Sequence, residues 1–427
     1  MSWSPAAVAE RETLPRLSAL GLFGISAFWF GSNFHWGALL AIIVPSQVRA
    51  MTDDHALWVG RIVGLGSIIA LVVPLVIGAL SDRCRSRWGR RRPYMLAGIA
   101  LNFAGLAVLF WSAAAHNVLG YLGGYLLANF GNNMVTGPYS GVIPDVVRED
   151  QRGGASGWMS AMAHVGTILG ALAAGMLLDR GMDGAAYAAI TAVMAISLAV
   201  TLWGVRERPL EGPVAPFRFA PFLRGLWINP RKHPDFAWVW ITRFLVVMGM
   251  FTVQPFIQFY LADHLGVENP ERTTGILLAI ILAGAAVTGL LGGRVSDRIG
   301  RKPVVYVANI VVAITALGFI FADSLEVAFA IGIVYGLAYG AYYSANWALA
   351  CDVLPSRADA AKDMAVWHVS MVLPQAIAAP LGGWLLSAFE RPGGGGYTEQ
   401  GYTALFALAS VQLALGAFLL RNVRGAR

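Results

Sequence analysis

The sequence predicts an all-α integral membrane protein of twelve transmembrane helices, arranged as two pseudo-symmetric halves of six. Three observations lead there: a composition too apolar for a soluble domain, twelve apolar runs of crossing length, and one loop pattern that occurs twice. Of the 427 residues, 57% are hydrophobic and 13% charged, whereas an average soluble domain is about one quarter charged. A bilayer-spanning helix takes about 20 apolar residues, so twelve fit this length and leave room for connections and tails. The net charge of +7 comes from short basic clusters between apolar runs. That is a pattern of membrane topology, so the bilayer is the expected partner and nucleic acid is not.

The spans are expected at 17–48, 56–80, 93–115, 117–143, 154–179, 185–205, 237–263, 272–293, 303–322, 326–351, 363–389 and 401–421. The polar residues 1–16 lead directly into the first run, without the short apolar stretch and small-residue cleavage site of a leader, so a retained first span is expected. The one long polar interruption, 206–236, is rich in proline and basic residues. It divides the chain into an N-terminal half (1–205), a central loop and a C-terminal half (237–427). With the N-terminus inside, 25 of the 31 Lys and Arg fall in cytoplasmic segments and only Arg49, Arg180, Arg272 and Arg391 in outer loops. Both termini are therefore expected to be cytoplasmic, in the inner membrane of a bacterium. Cys84 and Cys351 then lie near the reducing side, and no disulfide is expected.

After the second span stands GALSDRCRSRWGRRRPY (78–94), and after the eighth GGRVSDRIGRKPVVY (292–306). Each carries Ser-Asp-Arg, then Gly-Arg with a further basic residue and Pro, and the first copy has a short insertion. A six-span unit repeated with its loop in an equivalent place is a parallel repeat, in which substrate binds near the midplane. The paired loops, with twelve spans and a long central loop, resemble the major facilitator superfamily over essentially the whole chain. Within it, SDRCRSRWGRRRPY, NNMVTGPYSGVIPD (132–145) and RFLVVMG (243–249) resemble the sucrose/proton symporter branch, the plant sucrose carriers and their animal and bacterial relatives.

Polar residues at helical spacing show which spans face water or substrate, because a polar stripe facing lipid is costly. Span 4 aligns Asn129, Asn132, Asn133, Thr136 and Ser140. Span 10 aligns Tyr335, Tyr339, Tyr342, Tyr343 and Asn346 beside a ridge of Gly332, Gly336 and Gly340, the ridge being expected to serve packing. Span 7 aligns Arg243, Gln254 and Gln258, and span 1 offers Trp29, Asn33 and Trp36. The resemblance implies that spans 1, 4, 7 and 10 line a central cavity. Amides and tyrosine hydroxyls suit a ligand dense in hydroxyls, and Trp and Tyr faces can cover a sugar ring. Asn33, Trp36, Asn129, Asn133, Arg243, Gln254, Gln258, Tyr339 and Asn346 are therefore the candidate substrate contacts. Their alternative role is ordinary interhelical hydrogen bonding.

Two arginines lie within spans. Arg61, near the outer end of span 2, is expected to snorkel to the interface. Arg243, deeper and inside the family-like stretch, is expected to be a gate or ligand contact. Histidines at 35, 164 and 368 also fall in spans. His164 is the proton-coupling candidate, since Ser156, Ser160 and Thr167 share its face. The plant carriers have an Asp four positions before the second Asn of their span-4 pattern, and Asn129 stands there instead. None of the 24 acidic residues lies in a span centre, Asp145, Asp263 and Asp352 being at span ends. Since Asn cannot titrate, transport is expected to be uncoupled, or coupled through His164 with protons as the ion.

The resemblance also implies that the loop motif latches the halves on the cytoplasmic side. Asp82, Arg90 and Arg91 match in the first copy, Asp297, Arg298 and Arg301 in the second, with Asp145 and Asp352 as symmetric acidic partners. Phosphate-loop, zinc-protease and Cys/His metal patterns are absent, so neither a cofactor, a metal nor an enzyme is expected. The expected function is a monomeric, gradient-driven transporter that moves a sugar or glycoside by alternating access. Two alternatives stay open: a proton-linked exporter of amphipathic small molecules, and a non-transporting assembly or delivery factor.

Overall fold

The computed structural model describes residues 16–142, 146–205, 228–355 and 360–424. Twelve long helical segments occupy these residues: Ala19–Met51, His55–Ser81, Arg92–Ala114, Val118–Tyr139, Arg152–Asp179, Asp183–Gly204, Pro234–Asp263, Pro270–Ile299, Arg301–Phe321, Leu325–Asp352, Ala360–Ser387 and Glu399–Leu419. They are spans 1 to 12. Eleven are long and apolar enough to cross a membrane, and span 4 is not among them. Asn129, Asn132, Asn133 and Thr136 lower its hydropathy, the mark of a helix whose polar face meets other helices. The helix ends at the two repeated loops, 78–94 and 292–306, are called here the termini side, and the opposite ends the distal side. Most of the central loop, 206–227, lies outside the described residues.

Two spans are broken, each beside a proline. In span 1 the α-helix Ala19–Ala38 passes through a π-helical turn, Leu39–Ile43, into Val44–Met51, with Pro45 in its first turn. In span 7, Pro234–Val253 gives way to a 3₁₀ turn, Gln254–Phe256, before Ile257–Asp263. Pro255 lacks an N–H and clashes with the preceding turn, so the helical face of Arg243 does not continue to Gln258.

By backbone contact the chain forms two units: Met1–Leu39, Val72–Ala173 and Arg180–Phe217, and then Leu40–Leu71, Ala174–Asp179 and Arg218–Arg427. The distal ends of spans 1, 2 and 5 thus pack within the second unit, Gly60 and Gly64 lying against Ala379 and Pro380, and Gly175 against Glu271. Inside the first unit, spans 3 and 4 cross at Gly98, Gly105, Gly124 and Gly131. Inside the second, the ridge Gly332, Gly336 and Gly340 of span 10 packs on Leu277, Ile281 and Ala285 of span 8. This is small-residue packing, which in lipid replaces the missing hydrophobic drive. A Cβ at Gly131 would overlap the backbone of Asn102 and Gly98, whereas Gly123 has nothing within 4 Å. Gly131→Val should therefore cost about 1–3 kcal/mol by overpacking. Thermal unfolding in detergent should show a lowered midpoint for Gly131→Val and an unchanged one for Gly123→Val.

In both copies the repeated loop bonds an equivalent backbone carbonyl, though its arginine pairs with a different carboxylate in each. Arg91 donates from Nη1 to the carbonyl of Pro138 at 2.5 Å and pairs through Nη2 with Asp82 at 3.3 Å. Arg301 donates from Nη1 to the carbonyl of Ala348 at 2.7 Å and pairs with Asp352 at 2.6 Å. Donor and acceptor are 47 residues apart in both. The next basic residue caps the last helix of its repeat: Arg92 donates to Leu202 and Val205 carbonyls, Lys302 to those of Arg421 and Val423. Cations at helix C-termini satisfy orphan carbonyls and complement the helix dipole.

Candidate functional site

In the first unit, the polar face of span 4 meets span 1 through Asn132. Its Oδ1 accepts from Trp36 Nε1 and from Ser32 Oγ, both at 3.2 Å, while its Nδ2 is buried without a partner. Asn133 donates to Oδ1 of Asn129 at 2.7 Å, one turn earlier on the same helix. Asn33 turns back on its own helix, donating to the Trp29 carbonyl at 2.8 Å. Trp36, Asn129 and Asn133 thus fall in one region, with Asn132 as its hub. The hub shares the stripe that singled out its neighbours, and a buried amide with four possible hydrogen bonds was the signal for it.

In the second unit, Arg243, Tyr339, Tyr342, Tyr343, Asn346 and Trp367 line a cleft with a free volume of about 30 Å³. Arg243 is 3% exposed, and its guanidinium carbon stands over Trp367, 3.3 Å from the ring centroid. Its Nη2 reaches only the thioether of Met371, at 3.4 Å, and Nη1 has no partner. Arg243, Tyr339 and Asn346 therefore come together as expected. Gln254 is exposed at the 3₁₀ turn, and Gln258 donates to Glu271 at 3.1 Å and is not part of the cleft. The helical spacing that aligned the three assumed an unbroken span 7.

A third cluster lies on the distal side of the second unit, around the carboxylate of Asp263, which is 1% exposed. It accepts from Arg49 Nη2 at 2.7 Å, from the Tyr402 hydroxyl at 2.6 Å and from the backbone N–H of Tyr397 at 3.1 Å. The loop over it runs through Gly393, Gly394, Gly395 and Gly396, all at positive φ, and a Cβ on Gly396 would strike the Asp263 carboxylate. Only glycine takes such a path freely. Arg391 binds the Asp263 carbonyl, and the Gly395 carbonyl accepts from Arg49. Tyr397 takes the N–H of Ala56, and burial raises its phenol pKa. Nearby, Ser46 donates to Glu271 at 2.9 Å. Sequence reasoning named Arg49 and Asp263 separately and did not pair them. The signal available was that outer arginines are so few.

Of the remaining candidates, His164 is half-buried and its Nδ1 donates to the Ser160 carbonyl at 2.7 Å, one turn back. His35 is buried, with Nε2 3.2 Å from the Asn102 amide. Arg61 is exposed and stacks its guanidinium 5.1 Å from the Trp58 ring. Arg298 is exposed, and Arg90 is half-buried and bonded. Asp145 lies outside the described residues, as does the side chain of Asp297.

The long apolar helices make this a multi-pass membrane protein, and the family that its sequence matches makes it a transporter, not an enzyme. It belongs to the Major Facilitator Superfamily, whose model matches residues 19–271 and again 239–426. Among curated relatives, the rice sucrose transport protein SUT4 (Oryza sativa subsp. indica) is 28% identical over 232 residues, 46% of this chain and 38% of that protein. SUT1 of Oryza sativa subsp. japonica is 32% identical over 109 residues, covering 21% and 20%. The multidrug resistance protein MdtG of Klebsiella pneumoniae is 25% identical over 236 residues, covering 53% and 51%. The matches thus span between a fifth and half of these relatives. Among solved structures, the nucleoside transporter NupG aligns at a TM-score of 0.73 and 14% identity, covering 95% of this chain and 99% of that one. A bacterial homologue of the lysosomal transporter Spinster aligns at 0.67 and 17%, covering 95% of each. The two structures share the fold.

Proposed function

We propose that this chain transports a sugar or glycoside by alternating access of its two six-span halves, 1–205 and 237–427. The observation that carries the reading is the chemistry of the two intramembrane clusters. Trp36 with Asn129, Asn132 and Asn133 in one unit, and Tyr339, Tyr342 and Asn346 in the other, offer hydrogen-bonding groups beside aromatic faces. The partial matches to sucrose transport proteins support it. Asn133→Ala and Asn132→Ala should each weaken sugar binding by about 1–3 kcal/mol, the cost of leaving a buried partner unmade. Ligand-dependent thermal shift of purified protein measures this. Equal affinity across wild type and both variants would favour export of amphipathic compounds, the reading that the MdtG match supports.

In this reading the Asp263 cluster is the distal gate, Asp82 with Arg91 and Arg301 with Asp352 serve the termini-side latch, and Arg90, Asp145, Asp297 and Arg298 belong to it by their place in the sequence motif. Both termini face the cytoplasm of a bacterial cell, and the protein works as a monomer. A cysteine placed in 206–236 should react with an impermeant reagent only after the cell is opened. Labelling in intact cells would reverse the orientation. With Asn at position 129 and His164 bonded to its own helix, the reading is facilitated transport. Wild type should then not concentrate its solute under an imposed pH difference, while Asn129→Asp creates a carboxylate that could. Concentrative uptake by wild type that His164→Gln abolishes would assign proton coupling to His164 instead.

A further inference from the structure

We propose that the Arg243 cleft seats the carboxylate of the transported molecule, so that the substrate is a sugar acid, of the uronate or aldonate kind, rather than a neutral sugar. This deepens the transport reading above and rests on it. The argument begins with an excess of donors. Arg243 Nη1, Asn346 Nδ2, Trp367 Nε1 and the Tyr342 hydroxyl are all buried without a hydrogen-bond partner, and all four side chains line the same cleft. Three of these groups can only donate, and the fourth can. No carboxylate lines the cleft, and Arg243 forms no ion pair among the described residues.

A guanidinium buried for structural reasons is ordinarily paired, because an uncompensated buried charge is expensive. Here it meets an indole face and a thioether. Both hold and orient the plane, yet neither neutralises it. What the cleft lacks is one acceptor of negative charge with more than one oxygen, the group an arginine fork receives best. One guanidinium balances a carboxylate, whereas a phosphate monoester carries about −1.5 to −2 and would be left half-compensated. The free space of about 30 Å³ suits one small group and not a hexose ring, so the hydroxyl-bearing remainder must bind elsewhere. A phosphodiester, as in a lipid headgroup, carries the same single charge, and the test below separates it.

The test uses the purified full chain, with D-glucuronate and D-gluconate as acidic probes against D-glucose, glucose 6-phosphate and phosphatidylglycerol, read by ligand-dependent thermal shift. The two sugar acids should bind at least about tenfold more tightly than glucose and the phosphate ester, in the presence or absence of the lipid. Arg243→Gln should weaken binding of the two acids enough to abolish their preference over glucose, and Tyr342→Phe should weaken it about tenfold, one hydrogen bond to a charged group being lost. Tyr342→Phe keeps the ring and covers the case in which Arg243→Gln does not fold. Preference for glucose or for the phosphate ester, no binding of either acid, displacement of the acids by phosphatidylglycerol, or acid binding untouched in both variants would each overturn the proposal. Glucose exchange in proteoliposomes that survives those results unchanged in Arg243→Gln would leave the sugar-transport reading standing.

Discussion

Asp263→Ala should lower the stability of the second unit by about 3–5 kcal/mol, the range for removing one partner of a buried ion pair. The carboxylate is fully buried and accepts from Arg49, Tyr402 and the Tyr397 backbone at once. Its removal leaves Arg49 and the Tyr402 hydroxyl without their acceptor and releases the Gly393–Gly396 loop. Those contacts tie the distal end of span 1 to spans 7 and 12, so the distal side should also loosen. A cysteine at Ser46 should react faster with an impermeant thiol reagent in Asp263→Ala than in the wild-type background. Asp263→Asn keeps the shape and one acceptor oxygen, and should lie between the two. An unchanged melting midpoint and unchanged Ser46 labelling would remove this cluster from the gate.

Arg91→Ala should cost about 1.5–3 kcal/mol for each hydrogen bond lost between charged groups or to an orphaned carbonyl. It should cost more than Arg301→Ala. The two arginines donate to equivalent carbonyls in the two repeats and pair with carboxylates at different places, Asp82 in the loop and Asp352 at the end of span 10, but Arg91 is 5% exposed in its side chain and Arg301 27%. Water can replace the second more readily than the first. Lysine at either place keeps the charge and loses the planar fork, so Arg91→Lys should recover only part of the loss. Thermal unfolding of the four single variants gives the ordering. An equal loss for Arg91→Ala and Arg301→Ala would mean that burial of the first arginine adds nothing. Asp82, half exposed, should matter less: Asp82→Asn should shift the population of states modestly, because a contact biases an equilibrium only by its difference between states.

The spans were legible because hydrophobic runs of crossing length admit one interpretation in lipid, and each expected span overlaps a helix. The repeat was legible from Ser-Asp-Arg and Gly-Arg alone. What those residues hold was not, since a basic residue that fixes topology and one that caps a helix end look alike in sequence. The capping acceptors are backbone carbonyls 47 residues away, and carbonyls leave no mark on side-chain identity. Helical spacing grouped Arg243, Tyr339 and Asn346, which line one cleft, each on a stretch that stays helical. It did not keep Gln258 with Arg243, because the spacing was carried across Pro255, and a 3₁₀ turn there interrupts the periodicity on which such reasoning depends. The Asp263 cluster assembles Arg49, Asp263 and the pair Tyr397 and Tyr402 from three distant segments. No local pattern encodes that meeting, although the four consecutive glycines beside Tyr397 marked a backbone path that side chains would obstruct.

The central claim is that this transporter carries a hydroxyl-rich solute, and solute exchange by the purified protein in liposomes tests it most directly. Vesicles preloaded with unlabelled sugar or sugar acid should take up the same labelled compound saturably, and Asn132→Ala or Asn133→Ala should raise the concentration needed for half-maximal exchange. Exchange of amphipathic cations with no movement of any sugar or sugar acid, and with both asparagine variants behaving as wild type, would contradict it.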